Sequence, residues 1–579
     1  MPAPPNHLPW ERPLGTTTAP DGTTTFRVWC PATTPRLWLE GDEHDLAEEG
    51  MGVFSVTLPA GDGARYAYVL DGERLPDPCT RHQPDGLRGP SAVVDPHAFS
   101  WTDRSWDGVA LEDLVLYELH VGTFTEEGTF DAAIEHLPAL REVGITAIEL
   151  LPVAQFPGEF GWGYDGVYPW SAHDAYGGPH GLARLVDAAH ATGIGVVLDV
   201  VHNHVGASGE QALRAFGPYF TDHYSTFWGQ AINYDDAWSG PVREWICQSV
   251  EWWVRGLHVD GLRLDAIHAV YDQSAEHLIA EVARRAHAAD HRTLVIAESG
   301  MNDPKVVRRR DRGGWGCDGA WADDLHHAVR TLLTGESEGY YEEFGRVADV
   351  AHCLREPHFH DGRFSTFRHR RFGAPARDED PSRFVVFAAN HDQVGNRAMG
   401  DRLPREVRPL AALLTLTAPY TPMLFQGEEH GEDAPFQFFA DHIDEEIAIA
   451  TRDGRRREFA SFAAFAEKDV PDPLDRATFE RSKLTRVRDE AQAELVGALL
   501  RVRREMPQGP VAHVDFDEDA GWLRFRRGRH EVVASFARDG ASVLPAVDST
   551  LVVAAGSAAL DAGGLRLGPL SGAVLEITR

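Results

Sequence analysis

Long apolar runs are missing from this 579-residue sequence, and crossing a bilayer as a helix takes about 20 consecutive apolar residues. A membrane protein is therefore not expected. Cysteine is scarce. Cys30, Cys79, Cys247, Cys317 and Cys353 are an odd number, far apart, with no Cys-x-x-Cys. That pattern fits reduced thiols in a cytoplasmic protein rather than a disulfide framework or zinc site. Basic residues are short as well: 55 Lys and Arg stand against 89 Asp and Glu, a formal charge of −34. Such a balance argues against a nucleic-acid partner and favours solubility. The opening Met1-Pro-Ala-Pro-Pro-Asn-His7 lacks the basic and apolar regions of a signal peptide. No internal repeat or low-complexity tract stands out. What remains is an ordinary globular composition, 43% hydrophobic and 25% charged, with length for several domains.

The first hundred residues alternate or cluster β-formers, as in Phe26-Arg-Val-Trp29 and Arg65-Tyr-Ala-Tyr-Val-Leu70, between turn signals such as Asp71-Gly72. We expect a β-sandwich over 1–98. From about residue 113 apolar strand-like runs alternate with helical patterns. Eight candidate strands lie at 114–121, 147–152, 195–201, 261–266, 294–298, 319–323, 383–389 and 423–426. Eight strand–helix units predict an α/β fold, a (β/α)8 TIM barrel over 99–490, with its site at the strands' C-terminal ends. The Gly-, Tyr-, Trp- and His-rich stretch 206–240 is too long for one connection and predicts a subdomain inserted after strand 3. Short strands split by Gly and Asp from about His513 predict a second β-sandwich over 491–579.

Polar residues finish several of these apolar strands. In Asp260-Gly-Leu-Arg-Leu-Asp265, Arg263 and Asp265 are two apart and share a face, so the arginine can hold the carboxylate ionised. A structural ion pair is the plain alternative. Glu298 ends the fifth strand and Asp392 follows the seventh. In a closed barrel the three carboxylates converge. Their number fits glycoside chemistry, in which one carboxylate attacks the anomeric carbon and another protonates the leaving oxygen. The third strand ends Asp199-Val-Val-His-Asn-His204, and two histidines alone make an incomplete metal set. Phe160-Gly-Trp-Gly-Tyr164 puts aromatics among glycines, suited either to stacking on sugar rings or to packing the loop.

These blocks, residues 199–204, 261–268, Glu298 and Asn390-His391-Asp392, resemble the α-amylase family of glycoside hydrolases in order and placement. The resemblance implies a retaining mechanism with Asp265 as nucleophile, Glu298 as general acid/base and Asp392 as transition-state stabiliser. It implies that Tyr164, Asp199, His204, Arg263 and His391 line the subsite of the attacked glucose, with Tyr164 as its platform. Asn203 stands where calcium-binding members use an asparagine; no metal or cofactor is expected here.

Finer features resemble one branch, which frees trehalose from maltooligosyltrehalose. They are Asp265-Ala-Ile-His-Ala269, Trp321-Ala-Asp-Asp-Leu-His-His-Ala328, Leu332-Leu-Thr-Gly-Glu336, Gly339-Tyr-Tyr341, Asn390-His-Asp-Gln-Val-Gly-Asn-Arg397, Phe438-Phe-Ala-Asp-His-Ile-Asp444 and residues 452–459. By this resemblance Leu264, Ala266, Ile267, His268, Asp323, Asp324, Leu325, His326, His327, Gln393, Val394, Gly395 and Asn396 are further candidates for substrate binding. Asp323 and Asp324 also suit a helix N-cap and first turn. Two other readings stay open: a branching or debranching enzyme acting on α-glucan, and a non-catalytic α-glucan-binding protein.

Overall fold

The computed structural model describes residues 7–226, 229–460, 470–539, 542–544 and 548–578, without the side chains of 458–460. Residues 1–6, 227–228 of the expected insertion, the Phe459 side chain, and 540–541, 545–547 and 579 of the tail lie outside the described residues.

Eight parallel strands close into a barrel. They are β1 (Leu116–Leu119), β2 (Ala147–Leu150), β3 (Gly195–Val200), β4 (Gly261–Leu264), β5 (Leu294–Ala297), β6 (Gly319–Trp321), β7 (Phe384–Phe387) and β8 (Thr421–Phe425), with β8 pairing back onto β1. Each is a short, mostly apolar run buried on both faces, as a parallel strand between barrel core and helices must be. Side chains alternate inward and outward. Leu116, Ala147, Val197, Ile296, Trp321, Val385, Phe387 and Met423 form an apolar plug inside. Further along the strands the interior turns charged, with Glu118, Glu149, Asp199 and Arg263 all buried. That change of layer gives one end of the barrel a charged interior.

The helices covering the barrel are α1 (Leu137–Val143), α2 (Gly178–Thr192), α3 (Ser239–Gly256), α4 (Leu278–Ala289), α5 (Asp324–Thr334), α6 (Arg408–Thr417) and α7 (Glu490–Arg503). One expected strand–helix unit departs from the pattern: β5 is followed by turns and a single 3-10 turn at Arg310–Arg312, with no α-helix before β6. Pro304 and the Gly313-Gly314 pair break any helix there. A Cβ on Gly314 would lie 1.9 Å from the Arg308 carbonyl oxygen. The strands are also shorter than their apolar runs, because the ends of those runs leave the ladder to build the mouth.

The N-terminal strands form two antiparallel sheets around Phe26, Leu37, Tyr66 and Tyr68, and the C-terminal strands form two more around Val533, Leu565 and Leu575. The stretch after β3 holds a short helix, Glu210–Phe216, and the hairpin Phe220–Thr226 with Gly229–Ile232. Its aromatics have a packing purpose. Tyr219 meets Trp29 edge-on at 5.5 Å and Trp245 of α3 at 5.1 Å, and Phe216 meets Tyr68 at 6.0 Å. The insertion thereby fastens the N-terminal sheets to the barrel. All five cysteines are buried and unbridged.

Candidate active site

Arg263 is the hub of the charged layer. It is fully buried in β4, and its Cζ lies 4.2 Å from the centre of the Trp321 ring beneath it. Its Nη1 donates to Asp199 Oδ2 at 2.6 Å and to Asp265 Oδ1 at 2.9 Å; its Nη2 donates to Glu298 Oε2 at 3.0 Å. A planar fork of donors can serve three carboxylates where a lysine could not. Burial disfavours the guanidinium charge, yet Asp199, Tyr164, Glu298 and Asp265 override it and hold Arg263 well above its ordinary value. Burial likewise pushes the Asp199 carboxyl up, to about 7, against the pull of Arg263.

Asp265 stands one residue beyond β4. Its second oxygen accepts from Asn203 Nδ2 at 2.7 Å, so both oxygens are fixed. Ala266 follows with φ +40, in the left-handed region. That turn aims the Ala266 N–H at Glu298 Oε2, 2.7 Å away. Glu298, one residue beyond β5, thus has Oε2 held twice, while Oε1 accepts no hydrogen bond among the described residues. Asp392 lies in the short helix His391–Gly395 after β7; Asn396 Nδ2 donates to its Oδ1 at 3.0 Å.

Tyr164 closes the ring. Its hydroxyl donates to Asp199 Oδ2 at 2.6 Å, lies 2.8 Å from His391 Nε2, and its ring stacks on the His391 imidazole with 5.3 Å between centres. The loop carrying it is fixed by glycine: Gly163 has φ +98, and a Cβ there would stand 2.1 Å from the Pro152 carbonyl oxygen. His204 braces the same loop from below, with Nε2 3.0 Å from the Tyr164 carbonyl. Asn203 Oδ1 lies 2.5 Å from His204 Nδ1, so both ends of the Asn203 amide are engaged within the site. Among the described residues, no group of three or more His, Cys, Asp and Glu is placed to hold a metal ion.

Not every expected residue reaches this space. Trp162 is buried among Phe436, Phe438 and Val394, donating Nε1 to the Gln437 carbonyl at 2.9 Å, so it packs the loop. Leu264, Ile267, Leu325 and Val394 are buried apolar wall, and Gly395 is there because a Cβ would strike Trp162 at 2.1 Å. Asp324 accepts from Asn302 Nδ2 and the Phe359 backbone N–H, each at 2.7 Å, and from the His360 N–H at 3.2 Å. It secures the long connection between β6 and β7 rather than facing sugar. His326 has both ring nitrogens engaged, with Ala388 O at 2.6 Å and Tyr341 Oη at 3.0 Å. His327 packs against Tyr340, Tyr341 and Phe344. Asp323 is different. It is half-buried, its carboxyl accepts no hydrogen bond among the described residues, and it feels Glu298 and Asp392. Burial first, and then those like charges, push its carboxyl up to about 6. Gln393, Asn396 and His268 stand at the rim, Gln393 accepting from Tyr341 Oη at 3.2 Å. Glu118 and Glu149 were not among the expected residues, although a lone glutamate in each of two apolar strands marks both.

The α-amylase catalytic-domain family profile matches residues 94–216. A malto-oligosyltrehalose trehalohydrolase of Rhizobium sp. (strain M-11) is 42% identical over 589 residues, covering 95% of this chain and 97% of that protein. The malto-oligosyltrehalose trehalohydrolase of Saccharolobus solfataricus is 42% identical over 489 residues, covering 83% and 85%. The chain belongs to the malto-oligosyltrehalose trehalohydrolase family. An alpha-amylase-like protein of Salmonella typhimurium, known from its crystal structure, superposes with a TM-score of 0.88 at 35% identity, over 97% of this chain and 99% of that one. Membership of the malto-oligosyltrehalose trehalohydrolase family makes the chain a glycosidase with an α-amylase-type barrel.

Proposed function

We propose that the protein is a retaining glycosidase that cleaves the α-1,4 bond next to the terminal trehalose of maltooligosyltrehalose. Trehalose leaves, and a shorter maltooligosaccharide is released in a second step. The trehalohydrolase relatives supply the substrate class. The observation that carries the chemistry is the single guanidinium shared by Asp265 and Glu298, with Glu298 Oε1 accepting no hydrogen bond among the described residues.

Asp265 attacks C1 of the glucose joined to trehalose, and Glu298 gives its proton to the departing O4. Water, deprotonated by the same Glu298, then attacks C1 and frees Asp265 with the anomeric configuration kept. Asp392 stabilises the positive charge that develops at the ring. Tyr164 is the stacking platform, and Arg263, His391 and the Asp199 layer hold the platform and the nucleophile in place. Asp323, unpartnered and close to Glu298 on the leaving-group side, takes hydroxyls of trehalose. The substrate is an α-glucan oligosaccharide, and the five buried unbridged thiols support a cytoplasmic setting.

Proton NMR during the first turnovers tests this reading. We expect free trehalose together with a new reducing end that is α before mutarotation. A β reducing end would rule out the double displacement.

A further inference from the structure

Glu118 is a buried acid of the charged layer with no part in the chemistry above. It sits inside the barrel on β1, 1% exposed, on a strand otherwise made of Leu116, Tyr117 and Leu119. Both its oxygens serve a single residue. Oε2 accepts the His391 backbone N–H at 2.8 Å, and Oε1 lies 2.6 Å from His391 Nδ1. Glu149 is its partner in register on β2 and equally buried. Burial, then the nearby Glu118 charge, pushes the Glu149 carboxyl well up, and Glu149 Oε2 has no hydrogen-bond partner among the described residues. Of two adjacent carboxyls in a dry barrel only one can keep its charge at little cost, and Glu118 is the one that a backbone donor, the His391 N–H, meets.

Proton bookkeeping around His391 follows from geometry. Nδ1 faces a carboxylate oxygen and must donate. Nε2 faces the Tyr164 hydroxyl, whose own hydrogen goes to Asp199 Oδ2, so Nε2 must donate too. A histidine that donates from both nitrogens is an imidazolium. We propose that Glu118 is a positioning residue of the hydrolysis: it orients the His391 ring and keeps it an imidazolium, so that Nε2–H donates to the Tyr164 hydroxyl and holds that platform against the attacked glucose. The proposal rests on the active-site reading above.

The surroundings agree. His391 is faced by Glu118 from β1, Glu149 from β2, Tyr164 from the loop after β2, Arg263 from β4, His120 at the end of β1 and Asp392 on its own helix. Trp162 and Trp321 border the ring and exclude water. Burial alone would drive His391 down, but the Glu118 and Asp392 charges and the Glu118 hydrogen bond hold it up at about 9.

Glu118→Gln keeps shape and burial but removes the charge. We expect kcat/KM to fall about 10–100-fold, the scale seen when a partner orienting a functional histidine is lost. The alkaline limb should move to lower pH. In a His391→Gln background the same change should cost less than about twofold. An unmoved limb, or an equal loss in both backgrounds, would overturn the proposal. Glu149→Gln should leave the limb in place, and a limb shifted by that variant would count against it equally. Should Glu118→Gln not fold, nitrogen-15 NMR of histidine-labelled wild type still decides. The His391 signals, assigned by their loss in His391→Gln, should report two protonated nitrogens at pH 7.5, and a neutral ring would refute the idea. Rates are read on any α-glucan oligosaccharide the wild type cleaves, so failure of the trehalose reading shows separately, as absence of trehalose from wild-type digests.

Discussion

Arg263 and Asp265, two residues apart, point to one side at the end of β4 and form a buried ion pair of 2.9 Å. The pair is structural in geometry, and its second arm on Glu298 ties it to the chemistry. Arg263→Lys keeps the charge but loses the fork, since an ammonium cannot reach Asp199, Asp265 and Glu298 in these directions. We expect kcat to fall by about 10²-fold or more, the scale of removing one preorganised donor. Arg263→Met should also destabilise the fold by about 3–5 kcal/mol, because three buried or half-buried carboxyls lose their counter-charge. Thermal melts beside steady-state kinetics separate the two effects.

The loop before Tyr164 has no room for a side chain at Gly163. Gly163→Ala would need both a left-handed backbone, costing about 1–2 kcal/mol, and displacement of the Pro152 carbonyl. We expect a lower Tm and a loss of kcat/KM together, because Tyr164 is the next residue. Unchanged kinetics in a folded variant would mean that Tyr164 is held by its hydrogen bonds alone.

Asp323 separates trehalose-capped from plain chains if it binds the leaving unit. Asp323→Ala should raise KM for maltooligosyltrehalose by about tenfold, the loss of one charge-assisted hydrogen bond of about 1.5 kcal/mol. Slow cleavage of plain maltooligosaccharide should change less. Because burial holds this carboxyl near 6, the wild-type preference should weaken as pH falls through that value and the charge is lost. KM for both substrates between pH 5 and 7.5 checks this.

His430 gives stability a pH dependence of its own. Burial would lower it, but the Glu429 hydrogen bond and the charges of Glu429 and Glu432 hold it up at about 9. A folded value above the ordinary 6.5 means that its contribution is complete below about pH 6.5 and lost as pH rises through about 9. Tm should therefore fall between pH 7 and 9.5, and fall less steeply in Glu432→Gln, where the imidazolium loses a partner.

The three carboxylates were legible because a charged residue closing an apolar strand has few other places to be. Asp265, Glu298 and Asp392 sit where the alternation ends, and a barrel brings such ends together. Asp324 was not legible. Its neighbour Asp323 has the same chemistry and the same motif, and only tertiary contact with Phe359 and His360 shows which of them turns away. The packing role of the insertion's aromatics was not legible for the same reason, since Phe216 and Tyr219 find their partners Tyr68 and Trp29 nearly 150 or more residues earlier. The missing helix after β5 was marked by Pro304 and Gly313-Gly314, but the repeat of strand and helix elsewhere outweighed those breakers. Glu118 left a trace that could have been followed: an acid at an inward position of an apolar strand demands a buried partner.

The most direct measurement is a pair of initial rates for the wild type, on maltooligosyltrehalose and on maltooligosaccharide of equal length, with chromatographic identification of products. We expect free trehalose and a chain shortened accordingly from the first, and much slower cleavage of the second. Cleavage without free trehalose, or equal rates on both, would contradict the proposed function.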